Sequence, residues 1–283
     1  MPEEDIYYIN GAYVPAGKAA IPVNDLALLR GYGVFDFMRT YGKKPFCIEE
    51  HISRLKESAR LTGIPFPWSV EEVIGIVKQT LDRNRHDESN IRVVVTGGPS
   101  PDFLSPGGKP RLLVLVSKLR PLPREWYSRG VRVITIARRR SIPGAKTINY
   151  LSAIIALEDA RKQGAAEAIC VDGDGTVLEG QTATIFTFIG DRLLTNEKGI
   201  LPGVTRGLIL RLTESVFEQE IRDQTIGDLR GADEIFMTAS NKEVVPVVGV
   251  DDTVISGGTP GPRTRRVMEL FREYTRRFAA GEI

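Results

Sequence analysis

The segment Pro143-Gly144-Ala145-Lys146-Thr147-Ile148-Asn149-Tyr150 carries the strongest signal in this sequence, because it places a lysine in a turn-rich stretch that leads into a helix. A lysine can form a Schiff base only when its amine can lose a proton. Burial beside another cation lowers the pKa of an amine toward that condition. Taken alone, Lys146 is better explained as a solvated surface lysine, so its role depends on the rest of the chain.

The patterns on either side of this segment mix helices and strands without strict alternation. Ser69 and Glu72 form a capping box that predicts the start of a helix. The predicted strands are 6–9 and 12–14 around an Asn-Gly turn, 91–96, 111–117, 131–136, 167–171, 183–188 and 233–238, and the other predicted helices are 49–61, 151–162, 205–218 and 262–278. Pro121 and Pro123 stiffen the chain between strand patterns and predict a linker at 119–127. We therefore predict a small N-terminal domain at 1–118 and a larger C-terminal domain at 128–283.

Two further features fit an anionic ligand. Leu201-Pro202-Gly203-Val204-Thr205-Arg206 precedes a predicted helix, whose first amide groups and threonine hydroxyl can hold a phosphate. Arg54, on the helix at 49–61, can bind the same phosphate through its guanidinium. An ordinary capped loop and a solvated helix charge explain these features equally well when each is taken alone.

Glu179 lies at the end of a short predicted strand, before the polar turn Gly180-Gln181-Thr182. A carboxylate in this position can face a pocket. Paired with a pyridine nitrogen, it keeps that nitrogen protonated and makes the ring an electron sink. An exposed hairpin carboxylate is the alternative.

Together these segments resemble the class IV aminotransferases of fold type IV, which include branched-chain aminotransferases, D-amino-acid transaminases and aminodeoxychorismate lyase. The resemblance spans nearly the whole chain. The matched segments are Arg30 to Asp36, Glu50 to Leu55, Lys146 with Asn149-Tyr150, Glu179-Gly180, Leu201 to Arg206, and Thr238 to Glu243. It implies an α+β, two-domain enzyme that binds pyridoxal 5'-phosphate (PLP), with a small N-terminal α/β domain and a larger C-terminal domain with a barrel-like sheet.

The resemblance also implies a role for each matched residue. Lys146 would carry PLP as a Schiff base and move the proton at the substrate α-carbon, and Glu179 would pair with the pyridine nitrogen. Tyr150 would hydrogen-bond the phenolate oxygen, and Leu201 would pack on the ring. The phosphate contacts it implies are Arg54, Val204, Thr205, Ser240 and Asn241.

Substrate recognition departs from the familiar patterns. D-amino-acid transaminases resemble this chain at Val95-Thr96 but carry an arginine where Gly97 stands here. Arg92 matches the pocket arginine of branched-chain enzymes, whereas Arg30 stands where those enzymes usually have a tyrosine. We predict that Arg30, Phe35 and Arg92 bind the substrate, because two arginines beside one pocket favour carboxylate groups.

The resemblance implies a transaminase that moves an amino group to a 2-oxo acid such as 2-oxoglutarate. D-amino acids are favoured over L-branched-chain donors, because the segments Arg30 to Asp36 and Lys146 to Tyr150 resemble those of some D-amino-acid transaminases. Two alternatives remain. A lyase of the aminodeoxychorismate type would release pyruvate without an acceptor. A non-catalytic binding protein would lack a chromophore that borohydride reduces.

Composition restricts the kinds of partner that this protein is expected to bind. A net charge of +2 in 283 residues does not suggest a nucleic-acid partner, and no apolar run reaches the length of a signal or membrane span. The two cysteines lack C-x-x-C spacing and only two histidines are present, so neither a disulfide framework nor a metal site is expected. We expect a cytoplasmic enzyme that acts on small molecules, and the resemblance implies a homodimer.

Overall fold

The computed structural model describes residues 4–283, which form two compact units. The first unit takes the chain up to Arg120 together with Gly144–Tyr150 and Phe278–Ile283, and the second takes Pro121–Pro143 and Leu151–Arg277. The division after Arg120 lies within the predicted linker. The C-terminal domain, however, was predicted as one continuous stretch, and the Lys146 segment instead clusters with the first unit because its backbone pairs with a strand there.

The first unit is a six-stranded antiparallel sheet with helices on one face. Its strands are β1 Ile6–Ile9, β2 Ala12–Pro15, β3 Gly33–Tyr41, β4 Lys44–Pro45, β5 Ser89–Thr96 and β6 Arg111–Lys118, and its helices are α1 Leu26–Arg30, α2 Ile48–Leu61 and α3 Val70–Asp82. The strand order is β2-β1-β6-β5-β3-β4. One apolar core joins α2 and α3 to the sheet, with Val34, Leu55, Val77 and Val93 all fully buried.

Local signals explain where several of these elements begin and turn. The β1–β2 turn takes positive φ at Asn10 (46°) and Gly11 (106°), which are the residue types that tolerate this conformation. At the start of α3, the Ser69 hydroxyl accepts from Glu72 N at 3.0 Å, and the Glu72 carboxylate accepts from Ser69 N at 2.6 Å. The predicted hairpin and capping box are confirmed.

The second unit is a ten-stranded mixed sheet with flanking helices. Its helices are α4 Arg124–Ser128, α5 Leu151–Lys162, α6 Val204–Thr213, α7 Ile226–Arg230 and α8 Pro262–Ala280. Its strands are β7 Val131–Ala137, β8 Glu167–Val171, β9 Thr176–Gly180, β10 Thr184–Ile189, β11 Arg192–Thr195, β12 Glu218–Ile221, β13 Gln224–Thr225, β14 Glu234–Ala239, β15 Glu243–Val250 and β16 Thr253–Val254. The order is β12-β11-β10-β14-β15-β7-β8-β9-β13, with β16 beside β15.

Most predicted boundaries agree with the structure within two residues, but two differ by more. The helix predicted over 205–218 ends at Thr213, because the Gln219 side chain donates to the Leu210 carbonyl at 2.6 Å and the chain then enters β12, which pairs with β11. Within the predicted linker 119–127, α4 begins at Arg124, after Pro123 at the N-cap with a φ of −55°. Among the described residues, no helix is both long and apolar enough to cross a membrane.

Candidate active site

Lys146 lies beside the first residues of β3 in the first unit, on the edge of that strand whose other end pairs with β4. Phe35 N donates to the Lys146 carbonyl at 2.9 Å, and Ile148 N donates to the Gly33 carbonyl at 3.0 Å. Lys146 N donates to the Ser58 hydroxyl on α2 at 3.1 Å. Hydrogen bonds to a strand and to a helix therefore position the lysine backbone independently of anything its side chain does.

The Lys146 amine lies against an aromatic pair. Its Nζ is 4.8 Å from the centroid of the Phe35 ring, and Phe35 meets Tyr150 edge to face with centroids 5.4 Å apart. All three side chains are partly buried. The first unit thus brings together three residues that the sequence predicted for one site.

Arg54 is held by a buried carboxylate that the sequence did not predict as part of the site. Asp36 accepts from Arg54 Nε and Nη2, both at 2.8 Å, and its side chain is 0% exposed. Two other groups contact Oδ1 of Asp36, each at 2.7 Å: Nδ1 of His51 and the backbone N–H of Phe37. The sequence signal that could have revealed this cluster is Asp36 followed by His51 and Arg54, which are three positions apart on one helix.

Charge states in this cluster follow from its surroundings. Burial raises the pKa of Asp36, but the Arg54 guanidinium and the hydrogen bonds from His51 and Arg54 hold that pKa well below its ordinary value. Burial lowers the pKa of His51 more than Asp36 raises it. His51 is therefore neutral at pH 7 and donates its Nδ1 proton to an ionised Asp36, so its 3.4 Å approach to Arg54 Nη2 is not a hydrogen bond.

The two candidate substrate arginines are both exposed. The Arg92 guanidinium lies on the sheet face of Phe35, with its central carbon 5.6 Å from that ring and 5.8 Å from the Phe37 ring. Arg30 ends α1, and its Nη1 donates to the Leu29 carbonyl at 2.9 Å. Over residues 4–283, neither arginine forms an ion pair with a carboxylate, and no contact joins the two.

Gly97 lies directly against the ring of Tyr32. A Cβ at position 97 would lie 2.8 Å from Tyr32 Cε1 and closer still to Cδ1. The ring cannot easily move, because Tyr32 donates its hydroxyl proton to the Thr62 carbonyl at 3.1 Å and its own carbonyl accepts from Gly97 N at 2.9 Å. The position at which D-amino-acid transaminases carry an arginine is thus closed to any side chain here.

We expect Gly97→Ala to lower the free energy of unfolding by about 1–3 kcal/mol, because the added methyl overpacks the Tyr32 ring. Thermal unfolding would measure the loss. Gly97→Ala should cost less stability when it is added to Tyr32→Ala than when it is added to the wild type, because the ring that the methyl overpacks is then absent. Gly75→Ala is the matched control, since a Cβ there meets nothing within 4 Å and lies in a helix. Equal effects of the two alanines would contradict the steric explanation.

Glu179 is held from two sides in the second unit. Its carboxylate is 7% exposed at the end of β9, where Oε1 accepts from Arg140 Nη1 at 2.7 Å. The other oxygen, Oε2, accepts from the Leu201 amide at 3.1 Å. These contacts fix both the carboxylate and the backbone of Leu201, which were predicted to contact the same ligand. Arg140 was not predicted, although it lies in the basic run that precedes the lysine segment.

The helix α6 begins at the loop that was predicted to bind phosphate. Its N-cap is Gly203, which has no side chain with which to cap the first turn. A Cβ at Gly203 would lie 3.0 Å from Thr184 Oγ1, so the loop approaches β10 more closely than a larger residue allows. Val204 and Thr205 form the first helical turn, with Thr205 buried. This geometry suits an anion.

A buried ion pair holds the turn between β14 and β15. Lys242 Nζ lies 3.3 Å from Glu167 Oε2 and hydrogen-bonds the Thr182 hydroxyl. Glu167 Oε1 accepts from Gln181 N at 3.1 Å, in the turn after Glu179. The turn that contains Ser240 and Asn241 is thereby tied to the turn that follows the candidate carboxylate. Lys242 and Glu167 were missed because nothing in the local sequence links two residues 75 positions apart.

Comparisons with known proteins place this chain among the aminotransferases. The sequence model of the amino-transferase class IV family matches residues 33–250. The chain is 35% identical over 276 residues to a Methanocaldococcus jannaschii protein that carries the name of a branched-chain-amino-acid aminotransferase, covering 94% of this chain and 95% of that one. A D-alanine aminotransferase of Staphylococcus aureus is 30% identical over 276 residues, covering 94% and 96%. The crystal structure of the Escherichia coli branched-chain amino acid aminotransferase superposes with a TM-score of 0.90 at 27% identity, covering 96% of this chain and 94% of that one.

The fold and the family match define a fold-type IV aminotransferase, and the predicted fold class is confirmed. The chain belongs to the class IV aminotransferase family and is a PLP-dependent transaminase. The described residues fit that cofactor. Taken by itself, the first unit holds a lysine amine and a guanidinium fixed by a carboxylate. The second unit, taken by itself, holds a carboxylate fixed by an arginine and a helix N-terminus without a side-chain cap.

Proposed function

We propose that this transaminase takes amino donors that bear a carboxylate, D-amino acids ahead of L-branched-chain ones, and passes the amino group to a 2-oxo acid such as 2-oxoglutarate. The observation that supports this most is that Arg92 and Lys146 Nζ both lie against the ring of Phe35. An exposed guanidinium without a carboxylate partner, beside the reactive amine, suits the carboxylate of the amino donor. Arg30 supplies a second such charge at the end of α1.

The cofactor contacts are part of the same proposal. Arg54, the amides of Val204 and Thr205, the Thr205 hydroxyl, Ser240 and Asn241 would hold the phosphate. Glu179 would pair with the pyridine nitrogen, Tyr150 with the phenolate oxygen, and Leu201 with a ring face. When bound, PLP supplies an electron sink that stabilises negative charge at the substrate α-carbon.

The chain's own residues divide the remaining work. Lys146 Nζ would hold the cofactor and, when the amine of the donor displaces it, would move the α-proton of the donor to the cofactor carbon that it had held. With the acceptor it would move a proton in the opposite direction. Phe35 and Tyr150 restrict where that amine can lie. Arg140 and the Leu201 amide keep the Glu179 carboxylate in one orientation, so that it can hold a proton on a nitrogen base.

A panel of D- and L-amino acids, scored by the spectral change of the PLP form in the absence of acceptor, tests the donor class. D-alanine and D-glutamate should react faster than L-leucine. A faster reaction with L-leucine would favour the second candidate, an L-branched-chain aminotransferase, which the 35% identical relative supports by its name. Release of pyruvate without any acceptor would indicate a lyase.

We expect Arg92→Ala to weaken the apparent affinity for carboxylate donors about tenfold to a hundredfold, because a charge-assisted contact is worth about 1.5–3 kcal/mol. Reaction with 1-phenylethylamine, which has no carboxylate, should be nearly unchanged. Arg83→Ala is the matched control, because Arg83 is also exposed and lies 3.8 Å from an aromatic ring centroid, that of Tyr13. Arg30→Ala should behave as Arg92→Ala does. Equal weakening for the amine and the amino acids would indicate structural damage instead.

We expect Asp36→Asn to weaken PLP binding by about tenfold or more relative to pyridoxal, which lacks the phosphate. An amide accepts through one oxygen only, so it cannot hold both N–H groups of Arg54 and the His51 proton. Titration of the apoprotein with each ligand gives the two dissociation constants. Glu57→Gln is the control, because it breaks a similar but exposed bidentate pair with Arg60 on the same helix. Tighter PLP binding would show that Asp36 mainly repels the phosphate.

Self-association and location complete the proposal. The helix α5 exposes Leu151 (69%), Ile154 (56%) and Ile155 (53%), which share one helix face. That face supports a homodimer, which sedimentation analysis would test. We also propose the cytoplasm as the compartment, which a composition of two cysteines without C-x-x-C spacing supports.

A further inference from the structure

A cleft in the second unit lies between α4 and the terminal helix α8, apart from every residue assigned to the transaminase site. Its volume is about 520 Å³. The residues that line it are Arg124, Tyr127, Ser128, Arg265, Met268, Glu269 and Arg272. Three arginines thus border one concave surface. Arg265 and Arg272 are seven positions apart, so they lie on the same face of α8 two turns from each other.

None of the three arginines has a carboxylate partner within the part of the chain that the structure describes. Neighbours on the same helix do have one: Arg263 lies 3.1 Å from Glu234, and Arg266 lies 3.3 Å from Glu269. Glu269, the only acidic residue that lines the cleft, is therefore already paired. Three arginines and one glutamate leave the lining of the cleft with a net positive charge.

Neutral groups, not carboxylates, hold two of these arginines in place. The central guanidinium carbon of Arg272 lies 5.6 Å from the centroid of the Tyr127 ring. Arg265 Nε donates to the Pro260 carbonyl at 3.1 Å. Such contacts restrict the side chains without cancelling their charge. Like charges gathered in this way repel each other and disfavour the folded state, and a bound anion would relieve that repulsion.

We propose that this cleft binds a small polyanion that carries two or more phosphate or carboxylate groups. Arginine guanidinium groups match both kinds of oxyanion through paired N–H donors. The volume falls within the range of ordinary small-molecule pockets, about 300–1,000 Å³. Met268 and the Tyr127 ring provide apolar surface for the body of the ligand, and the three arginines bind its charged groups.

The cleft is linked to the turn between β14 and β15 by one hydrogen bond. Tyr127 donates its hydroxyl proton to the Lys242 carbonyl at 3.1 Å. Lys242 follows Ser240 and Asn241, two of the proposed phosphate contacts, so a ligand that restrains Tyr127 also restrains that turn. This second step, slower release of PLP when the cleft is occupied, rests on the proposed function.

Titration calorimetry of the holoenzyme with inorganic tripolyphosphate tests the site, because bound PLP keeps the probe from the cofactor's own phosphate contacts. We expect one tripolyphosphate per chain, and at least tenfold weaker binding to the Arg265→Gln/Arg272→Gln variant. The matched control, Arg161→Gln/Lys162→Gln, removes the same charge from exposed pairs on α5 and should bind as the wild type does. Equal weakening in both variants, or no binding to the wild type, would overturn the site. Titration with citrate tests whether carboxylate groups bind in the cleft. Titration with monophosphate tests whether one phosphate group is enough.

The linkage has its own test. Saturating tripolyphosphate should slow the release of PLP from the wild type about threefold or more, and Tyr127→Phe should abolish this effect while leaving tripolyphosphate affinity unchanged, because the ring remains. Unchanged release from the wild type would overturn the linkage. Absence of any lysine-bound PLP absorbance in the wild type would instead reject the proposed function. The tripolyphosphate isotherm would still decide the site.

Discussion

Lys146→Ala should lose nearly all transaminase activity and the visible absorbance of lysine-bound PLP while keeping its fold. The expected loss is about a hundredfold to ten-thousandfold in rate, the usual contribution of a positioned acid or base, because the variant has no amine against Phe35 to move the α-proton. The fold should survive because the hydrogen bonds that hold position 146 use its backbone N–H and carbonyl, which alanine also has.

Three measurements separate this result from simple damage. Turnover and visible spectra report the lost amine, and thermal unfolding reports the fold. Lys162→Ala is the control, because Lys162 is 73% exposed and its partner Asp159 lies on the same helix. An added primary amine such as methylamine should restore some turnover to Lys146→Ala. Wild-type turnover in that variant would reject Lys146 as the base.

Glu179→Gln should bind PLP but slow removal of the α-proton by roughly a hundredfold or more, which corresponds to about 2.7 kcal/mol of barrier. A neutral amide cannot keep a ring nitrogen protonated as a carboxylate does, so the cofactor would stabilise less negative charge at the α-carbon. Single-turnover reactions with one amino donor and no acceptor would measure this step directly.

The contacts of Glu179 define the control for that experiment. Substitution also removes the negative partner of Arg140, which lies 2.7 Å away, so the free energy of unfolding must be measured beside the rate. Glu158→Gln removes an exposed carboxylate from a pair with Arg161 and should change neither quantity. A wild-type half-reaction rate in Glu179→Gln would assign that carboxylate another role, such as holding Arg140 and the Leu201 amide.

Strand β3 was missed in the sequence because a buried charged residue, Asp36, interrupts the apolar pattern of its core face. Its core-facing positions include Val34, Asp36 and Met38, whereas Phe35 and Phe37 face the other side of the sheet. In the sequence the large apolar residues Phe35 and Phe37 alternate with a charged one, which suggests that their face is the buried face. The structure buries the opposite face, and β3 was not predicted. Asp36 is tolerated in the core because Arg54 and His51 satisfy its oxygens.

Sequence alone determined the family, the capping box of α3, the hairpin at Asn10-Gly11 and the positions of Lys146 and Glu179 as candidate site residues. Each of these depends on residues that are close in the chain or on motifs whose order and spacing are recognisable. Tertiary structure alone decided that Asp36 and His51 hold Arg54, that Tyr32 closes the space beside Gly97, and that Lys242 is paired with Glu167. The physical reason is that the strength of these contacts depends on burial and on distances of a few ångströms between residues far apart in the chain, which no local pattern of residue types specifies.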